Sequence, residues 1–301
     1  MTTQAAPRKR APRSAKGQTS ARKTKPASAH TRTYTNTPTA LITGASSGIG
    51  EALALCFAQA GYHLILVARR VDKLNSLSQR LQAEHDVSAH VLAYDLAVPG
   101  AASKLASTVA RQKLPVDVLV NCAGVLHQGA FGAMAGNTHQ QMIDLNISGL
   151  TAMLSTFLPA LTHRAAEGKT VRVLNVASIA AYQPVPMLAT YAATKAYVLS
   201  LGESLAEELK GTGITVTTLC PGMTATAMLS QATGTNGRIS DIPGFMVGQV
   251  ETVAQDAFNA CLKGDAICVP GAINQALVIG SRTAPKWLVR KVGGLLGRKT
   301  L

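Results

Sequence analysis

From Pro38 to Pro270 the chain alternates short, charge-poor apolar runs with longer segments of helical spacing. The apolar runs are TALITG (39–44), HLILVA (63–68), SAHVLAYDL (88–96), VDVLVNCAG (116–124), TVRVLNVAS (170–178), GITVTTLCPG (213–222) and AICVP (266–270). Runs of that length with so few charges read as strands buried on both faces. Helical patterns fill the gaps at 48–61, 71–86, 101–113, about 138–166, about 188–210 and near 250–263, the first closed by Gly61. Strict alternation restricts the fold to the α/β class, a doubly wound parallel sheet of Rossmann type. Ligands of such a sheet sit at the carboxyl ends of its strands. TGASSGIG, ARR, DL, NCAG, Ser178 and PG each follow a strand, so they should line one rim.

TGASSGIG (43–50) ends the first strand and opens the first helix. Gly44 permits the turn, Gly48 lets backbone approach a pyrophosphate, and Gly50 allows close helix–strand packing. The helix start offers unpaired N–H groups and a positive dipole to phosphates. Ser46 and Ser47 can add hydroxyls there or bond locally within the turn. The Gly-x-x-x-Gly-x-Gly spacing departs from the G-x-G-x-x-G dinucleotide fingerprint. At the end of the second strand, LILVARRVDKL places Arg69 and Arg70 where an acid would accept bonds from a free 2′-hydroxyl. Arginine there suits a 2′-phosphate instead, so the expected cofactor is NADP(H). Asp95 and Leu96, after the third strand, should border the adenine.

ATYAATKAYV (189–198) puts Tyr191 and Lys195 one helical turn apart, with Ser178 thirteen residues before the tyrosine. Taken alone, that pair is common on half-solvated helix faces. Its chemistry is nonetheless specific. A phenol titrates near about 10, and an adjacent ammonium favours the phenolate. Together TGASSGIG, NCAG (121–124), Ser178, YAATK and PG (221–222) resemble the short-chain dehydrogenase/reductase family in order and spacing, over about residues 39–270. NCAG varies the commoner NNAG at its second position and keeps Asn121.

The resemblance implies Tyr191 as acid in carbonyl reduction and base in alcohol oxidation. Lys195 would lower the tyrosine pKa and bind the nicotinamide ribose. Ser178 would donate to the substrate oxygen, and Asn146 in DLNISG would hold a water linking lysine to solvent. Without that role Asn146 is a polar residue that bends its helix. The implied cofactor contacts are Gly44, Ser46, Ser47, Gly48, Ile49, Gly50, Arg69, Arg70, Asp95, Leu96, Asn121, Ala123, Gly124, Tyr191, Lys195, Pro221, Gly222 and Thr224. Arg69 matches the phosphate-reading position, and Arg70 stacks on adenine or adds charge. Thr226 resembles a second position near the phosphate.

The net charge of +14 looks like a nucleic-acid signal until it is located. Residues 1–38 carry nine Lys or Arg and residues 282–301 six, neither with an acid, leaving fourteen against fifteen acids between them. The first 38 residues contain no Val, Ile, Leu or Phe, and are expected to be a disordered basic tail. Residues 39–281 form the oxidoreductase domain in this reading, and 282–301 a basic amphipathic extension. The basic ends lack interleaved aromatics apart from Tyr34 and Trp287, so no specific nucleic acid is expected. Five scattered cysteines without a CxxC pair suit a reducing, cytoplasmic setting. Histidine spacing offers no metal site. No stretch approaches the roughly 20 uncharged apolar residues of a membrane span.

The expected partner is a small carbonyl or alcohol substrate, poorly charged or lipid-like, under a lid at 223–249. The long helices at about 138–166 and 188–210 should pair between subunits in a homodimer or homotetramer. For APKWLVRKVGGLLGRK (284–299) two uses stay open: a helix packed on protein, or a basic amphipathic anchor on anionic membrane. Two rival readings of the whole chain remain, a dinucleotide-binding sensor or scaffold without turnover and a binder of nucleic acid or anionic surfaces through its basic ends.

Overall fold

The computed structural model describes residues 1–6, 37–225, 247–285, 287 and 291. The chain divides into two units, Met1–Thr33 and Tyr34–Leu301. In the first, the described residues 1–6 form no helix or strand. The second holds the alternating elements. They are β1 (Thr39–Thr43), α1 (Gly48–Gln59), β2 (His63–Ala68), α2 (Val71–His85), β3 (Ala89–Ala93), α3 (Ala101–Arg111) and β4 (Val118–Asn121). Then come α4 (Gly136–Ile143), a π-helical turn (Asp144–Gly149), α5 (Leu150–Ala166), β5 (Val171–Val176) and α6 (Ala189–Glu208). The order ends with β6 (Ile214–Leu219), α7 (Val250–Lys263), β7 (Ile267–Cys268) and α8 (Ala272–Thr283).

All seven strands are parallel, in the order β3-β2-β1-β4-β5-β6-β7. Chain direction across the sheet reverses between β1 and β4, which makes that gap the ligand crevice of a doubly wound fold. Side chains alternate along each strand and fill two separate cores. Leu41, Ile65 and Val67 meet α3, α5 and α6 on one face; Ala40, Ile42, Leu64 and Leu66 meet α1, α2 and α7 on the other. At the opposite end of the sheet, buried Asp117 accepts a bond from the Thr39 amide at 2.9 Å and is ion-paired with Arg164.

Two elements differ from the sequence reading. The continuous helical stretch Gly136–Ala166 reaches a length and mean hydropathy (1.3) compatible with a membrane span. Its Leu150, Met153, Leu154, Phe157 and Leu161 are buried in the core of the domain, which accounts for the hydropathy. The helix α8 falls where only a terminal stretch of the domain was expected. The lid at 223–249 lies outside the described residues over 226–246, Thr226 included, as does most of 284–299.

The helix α6 carries Tyr191 and Lys195 and must sit tight on the sheet. Gly202 makes this possible, since a Cβ there would lie 2.0 Å from Thr218 Oγ1 on β6. Gly202→Ala should therefore cost about 1–3 kcal/mol of unfolding free energy in urea titration. At Gly136 a Cβ would meet nothing within 4 Å, so Gly136→Ala should be neutral or mildly stabilising.

Candidate active site

The rim begins where β1 runs into the glycine loop. Gly44 has φ +70°, and a Cβ on it would fall 2.9 Å from Ala123 Cα. A Cβ on Gly50 would fall 2.4 Å from the Gly44 carbonyl oxygen. The loop is thus pressed between the start of α1 and the NCAG segment, backbone against backbone. Thr43 fixes the same junction from its side chain. Its Oγ1 donates to the Val120 carbonyl at 3.1 Å and accepts from the Cys122 and Ala123 amides, each at 3.0 Å. Sequence reasoning missed Thr43 because it reads as an ordinary strand residue.

Ser47 precedes α1 in extended conformation, and its side chain makes no capping bond. The first amides of α1 therefore keep no side-chain cap, and Ser46, Ser47, Gly48 and Ile49 are all partly exposed at the rim. Such a cradle fits a pyrophosphate. The two arginines beyond β2 behave differently. Arg70 donates from Nη2 to the Ser46 carbonyl and Oγ, both at 3.1 Å, which ties it to the glycine loop. Arg69 makes a loose ion pair with Asp95 at 3.7 Å, its side chain 70% exposed. Asp95 Oδ1 accepts from the Ala97 amide at 3.1 Å, and Leu96 is buried beside it. Arg69, Arg70, Asp95 and the glycine loop thus form one basic-edged crevice.

Asn121 lies deeper than the rim. It is buried at the end of β4, opposite Asn175 in register, and donates to Asn175 Oδ1 at 3.0 Å. Ala123 and Gly124 follow it, partly exposed. Asn146 occupies the π-helical turn, a local widening often found at functional sites. Its amide clamps Val125 from both ends, accepting from the amide and donating to the carbonyl at 2.9 Å each. It also donates to Thr194 Oγ1 at 3.1 Å. A Cβ on Gly124 would sit 3.3 Å from Asn146 Oδ1 and 3.6 Å from Lys195 Nζ, so both groups flank one Cα.

Lys195 is buried, and its Nζ donates to the Val176 carbonyl at 2.8 Å. Burial lowers its pKa to about 8, against weaker upward pulls from the Cys122 and Cys220 thiols. Nζ also stands 5.7 Å from the centre of the Tyr191 ring. Burial raises the Tyr191 phenol to about 12, and its hydrogen bond with Ser178 pulls the other way. The expected lowering of the tyrosine by lysine is therefore not what this structure has. Burial governs the phenol, and Nζ is turned to the Val176 carbonyl. Ser178 Oγ accepts from the Ala180 amide at 3.1 Å and caps the one-turn helix Ile179–Tyr182. Pro221 closes this side, its carbonyl accepting from the Ile179 amide at 3.0 Å. Thr224, buried two residues on, donates to the Gly222 carbonyl at 3.1 Å.

The family model for short chain dehydrogenase matches residues 38–236. The chain belongs to that family. Sulfoacetaldehyde reductase from Chromohalobacter salexigens is 36% identical over 202 residues, 66% of this chain and 78% of its own. A short-chain dehydrogenase from Sphingobium yanoikuyae, solved in complex with NADPH, superposes with a TM-score of 0.70 at 30% identity, covering 81% of this chain and 93% of that one. The bulky-bulky ketone specific alcohol dehydrogenase from Comamonas testosteroni gives 0.67 at 30% identity, covering 82% and 93%. The chain is accordingly a short-chain oxidoreductase that uses a nicotinamide dinucleotide.

The buried lysine has a thermodynamic signature. Its folded pKa of about 8 lies below the unfolded value of about 10.4. Between those values the unfolded state binds more protons, so stability rises with pH. Relative to Lys195→Met, the cofactor-free protein should gain up to about 3 kcal/mol as pH is raised from about 8 toward about 10.4. Urea titrations across that range measure it, and a flat difference would mean the ammonium is not desolvated.

Proposed function

We propose that this oxidoreductase interconverts a ketone or aldehyde and an alcohol with NADP(H), and that Tyr191 is its acid and base. The observation that carries the reading is the meeting of Ser178, Tyr191 and buried Lys195 beside the crevice between β1 and β4. The dinucleotide supplies or accepts the hydride. In reduction, the Ser178 hydroxyl donates to the substrate oxygen where negative charge grows, and the Tyr191 phenol passes its proton to that oxygen. In oxidation the proton returns to the phenolate. Lys195 keeps positive charge within reach of the ring and holds the cofactor ribose, and Asn146 braces the backbone on which lysine rests. The poorly charged or lipid-like substrate class follows from the family resemblance. Five free thiols fit a reducing cytoplasmic setting. Exposed surfaces of α5 and α6, joined by the Thr151–Tyr197 hydroxyl pair at 2.8 Å, are the faces for a homodimer or homotetramer.

Tyr191→Phe keeps the ring and removes the proton. Turnover of a reducible ketone should fall by about 10²–10⁴-fold, while cofactor affinity, read by fluorescence titration, stays near native. Near-native turnover would end the assignment.

For the cofactor, Arg69 is the reader of the 2′-phosphate, exchanging its exposed pair with Asp95 for a charge-assisted contact. Arg70 supports it by holding Ser46. The protein should bind NADPH more tightly than NADH, and Arg69→Asp should reverse the preference, shifting the KM ratio by about tenfold or more. Tighter binding of NADH by the unaltered chain would overturn this.

A further inference from the structure

We propose that His139 is a positioning residue for Tyr191, an inference that rests on the acid and base role of that tyrosine. The imidazole bridges two segments that flank the site. Its Nε2 lies 3.1 Å from the Phe131 carbonyl oxygen, in the stretch that follows NCAG. Its Nδ1 lies 2.7 Å from Thr190 Oγ1, on α6 directly before Tyr191. A carbonyl only accepts, so Nε2 carries the proton, and with one proton on the ring Nδ1 accepts from the Thr190 hydroxyl. The Phe131 ring rests on the imidazole, with centroids 4.4 Å apart.

This bridge repeats the one that Asn146 makes seven residues later. Asn146 binds the backbone of Val125 on one side and Thr194 Oγ1 on the other. His139 binds the backbone of Phe131 and Thr190 Oγ1 in the same way. Thr190 and Thr194 are four apart on α6 and so share a face, and Tyr191 falls between them in the chain. The stretch after NCAG, the α4 segment and α6 are thus tied by two parallel rungs, and the outer one meets α6 next to the phenol.

The start of α6 depends on such a tie. Leu188, ahead of it, offers no side-chain cap, the usual means of fixing a helix start. Met187 has φ +67°, a left-handed conformation uncommon for a residue with a side chain. The Gly129 amide donates to the Met187 carbonyl at 2.9 Å, so the stretch after NCAG grips this entry at a second point. A phenol that must meet a substrate oxygen moves with the first turn of its helix, and a misplacement of about 1 Å can cost about 100-fold in rate. Arg69 and the glycine loop belong to other elements, so loss of the His139 bridge falls on kcat ahead of the KM for NADPH.

Three substitutions separate the bond from the shape. Thr190→Val removes the hydroxyl and keeps the branched side chain, Thr190→Ser keeps the hydroxyl, and His139→Phe keeps a ring against Phe131 without either bond. With benzylacetone and NADPH, Thr190→Val and His139→Phe should each lower kcat about tenfold or more, with the KM for NADPH near native. Thr190→Ser should stay near native. The double variant should be no slower than His139→Phe, since the hydroxyl then has no imidazole to lose. A second readout needs no turnover. In protein labelled with carbon-13 at tyrosine Cζ, the signal missing from Tyr191→Phe should move in Thr190→Val and His139→Phe and stay in Thr190→Ser. If His139→Phe lowers the thermal midpoint, the two threonine variants decide. An unmoved Tyr191 signal overturns the proposal, as does native kcat in Thr190→Val or a double variant whose losses add. Native protein that leaves the ketone unreduced counts against the functional reading alone, because the signal still tests the bridge.

Discussion

Gly44 and Ala123 approach so closely that no side chain fits between them, and a line of contacts starts from that junction. Thr43 binds the Cys122 and Ala123 amides, which fixes the NCAG segment against the glycine loop. Two residues further, Asn146 clamps Val125 and reaches Thr194 on α6. Thr194 in turn donates to the Tyr191 carbonyl at 2.8 Å. The phosphate-side loop and the tyrosine are therefore connected by hydrogen bonds to backbone, with little side-chain slack. A site whose hydride donor and proton donor must meet one carbonyl needs tolerances of that order.

The two ionisable groups are both pushed toward their neutral forms. Lysine is drawn down to about 8 and tyrosine up to about 12, each chiefly by burial. A phenol above its ordinary value is fully protonated at neutral pH, which suits donation during reduction. Use as a base is harder and calls for positive charge near the ring. Lys195 provides it within 5.7 Å of the ring centre, at the expense of burying an ammonium that donates to the Val176 carbonyl. Such a group lowers stability, and its place beside the proposed acid accounts for its retention better than packing does.

The fold was legible because short apolar runs alternate strictly with helical patterns, and five of the seven strands, β1, β2, β4, β5 and β6, are buried along most of their length. The rim was legible because each motif follows a strand. Local conformation was less so. The π-helical turn at DLNISG has no distinctive composition, and Asn146 reveals its bracing role only once Val125 and Thr194 surround it. Thr43 hides as a strand residue. The direction of the Tyr191 shift depends on how deeply the ring is buried, a tertiary quantity that i, i+4 spacing does not contain. The helix α8 was overlooked because AINQALVIGSRT lacks a polar face of the usual kind, its inward side being the one with Asn274 and Arg282.

That inversion ties the last helix to the chemistry. The family match ends at residue 236, before α7, β7 and α8, yet α8 backs the rim at two points. Asn274 stands against Gly222, next to Pro221, whose carbonyl lies 3.5 Å from Ser178 Oγ. Arg282 covers Tyr182, the last residue of the one-turn helix that Ser178 caps. A shift of α8 thus reaches the serine side of the site through two contacts, without passing through Tyr191 or Lys195. Tyr191 and Lys195 are held by the sheet and α6, whereas the Ser178 side of the site is held partly by α8. The two sides of the site rest on separable parts of the fold.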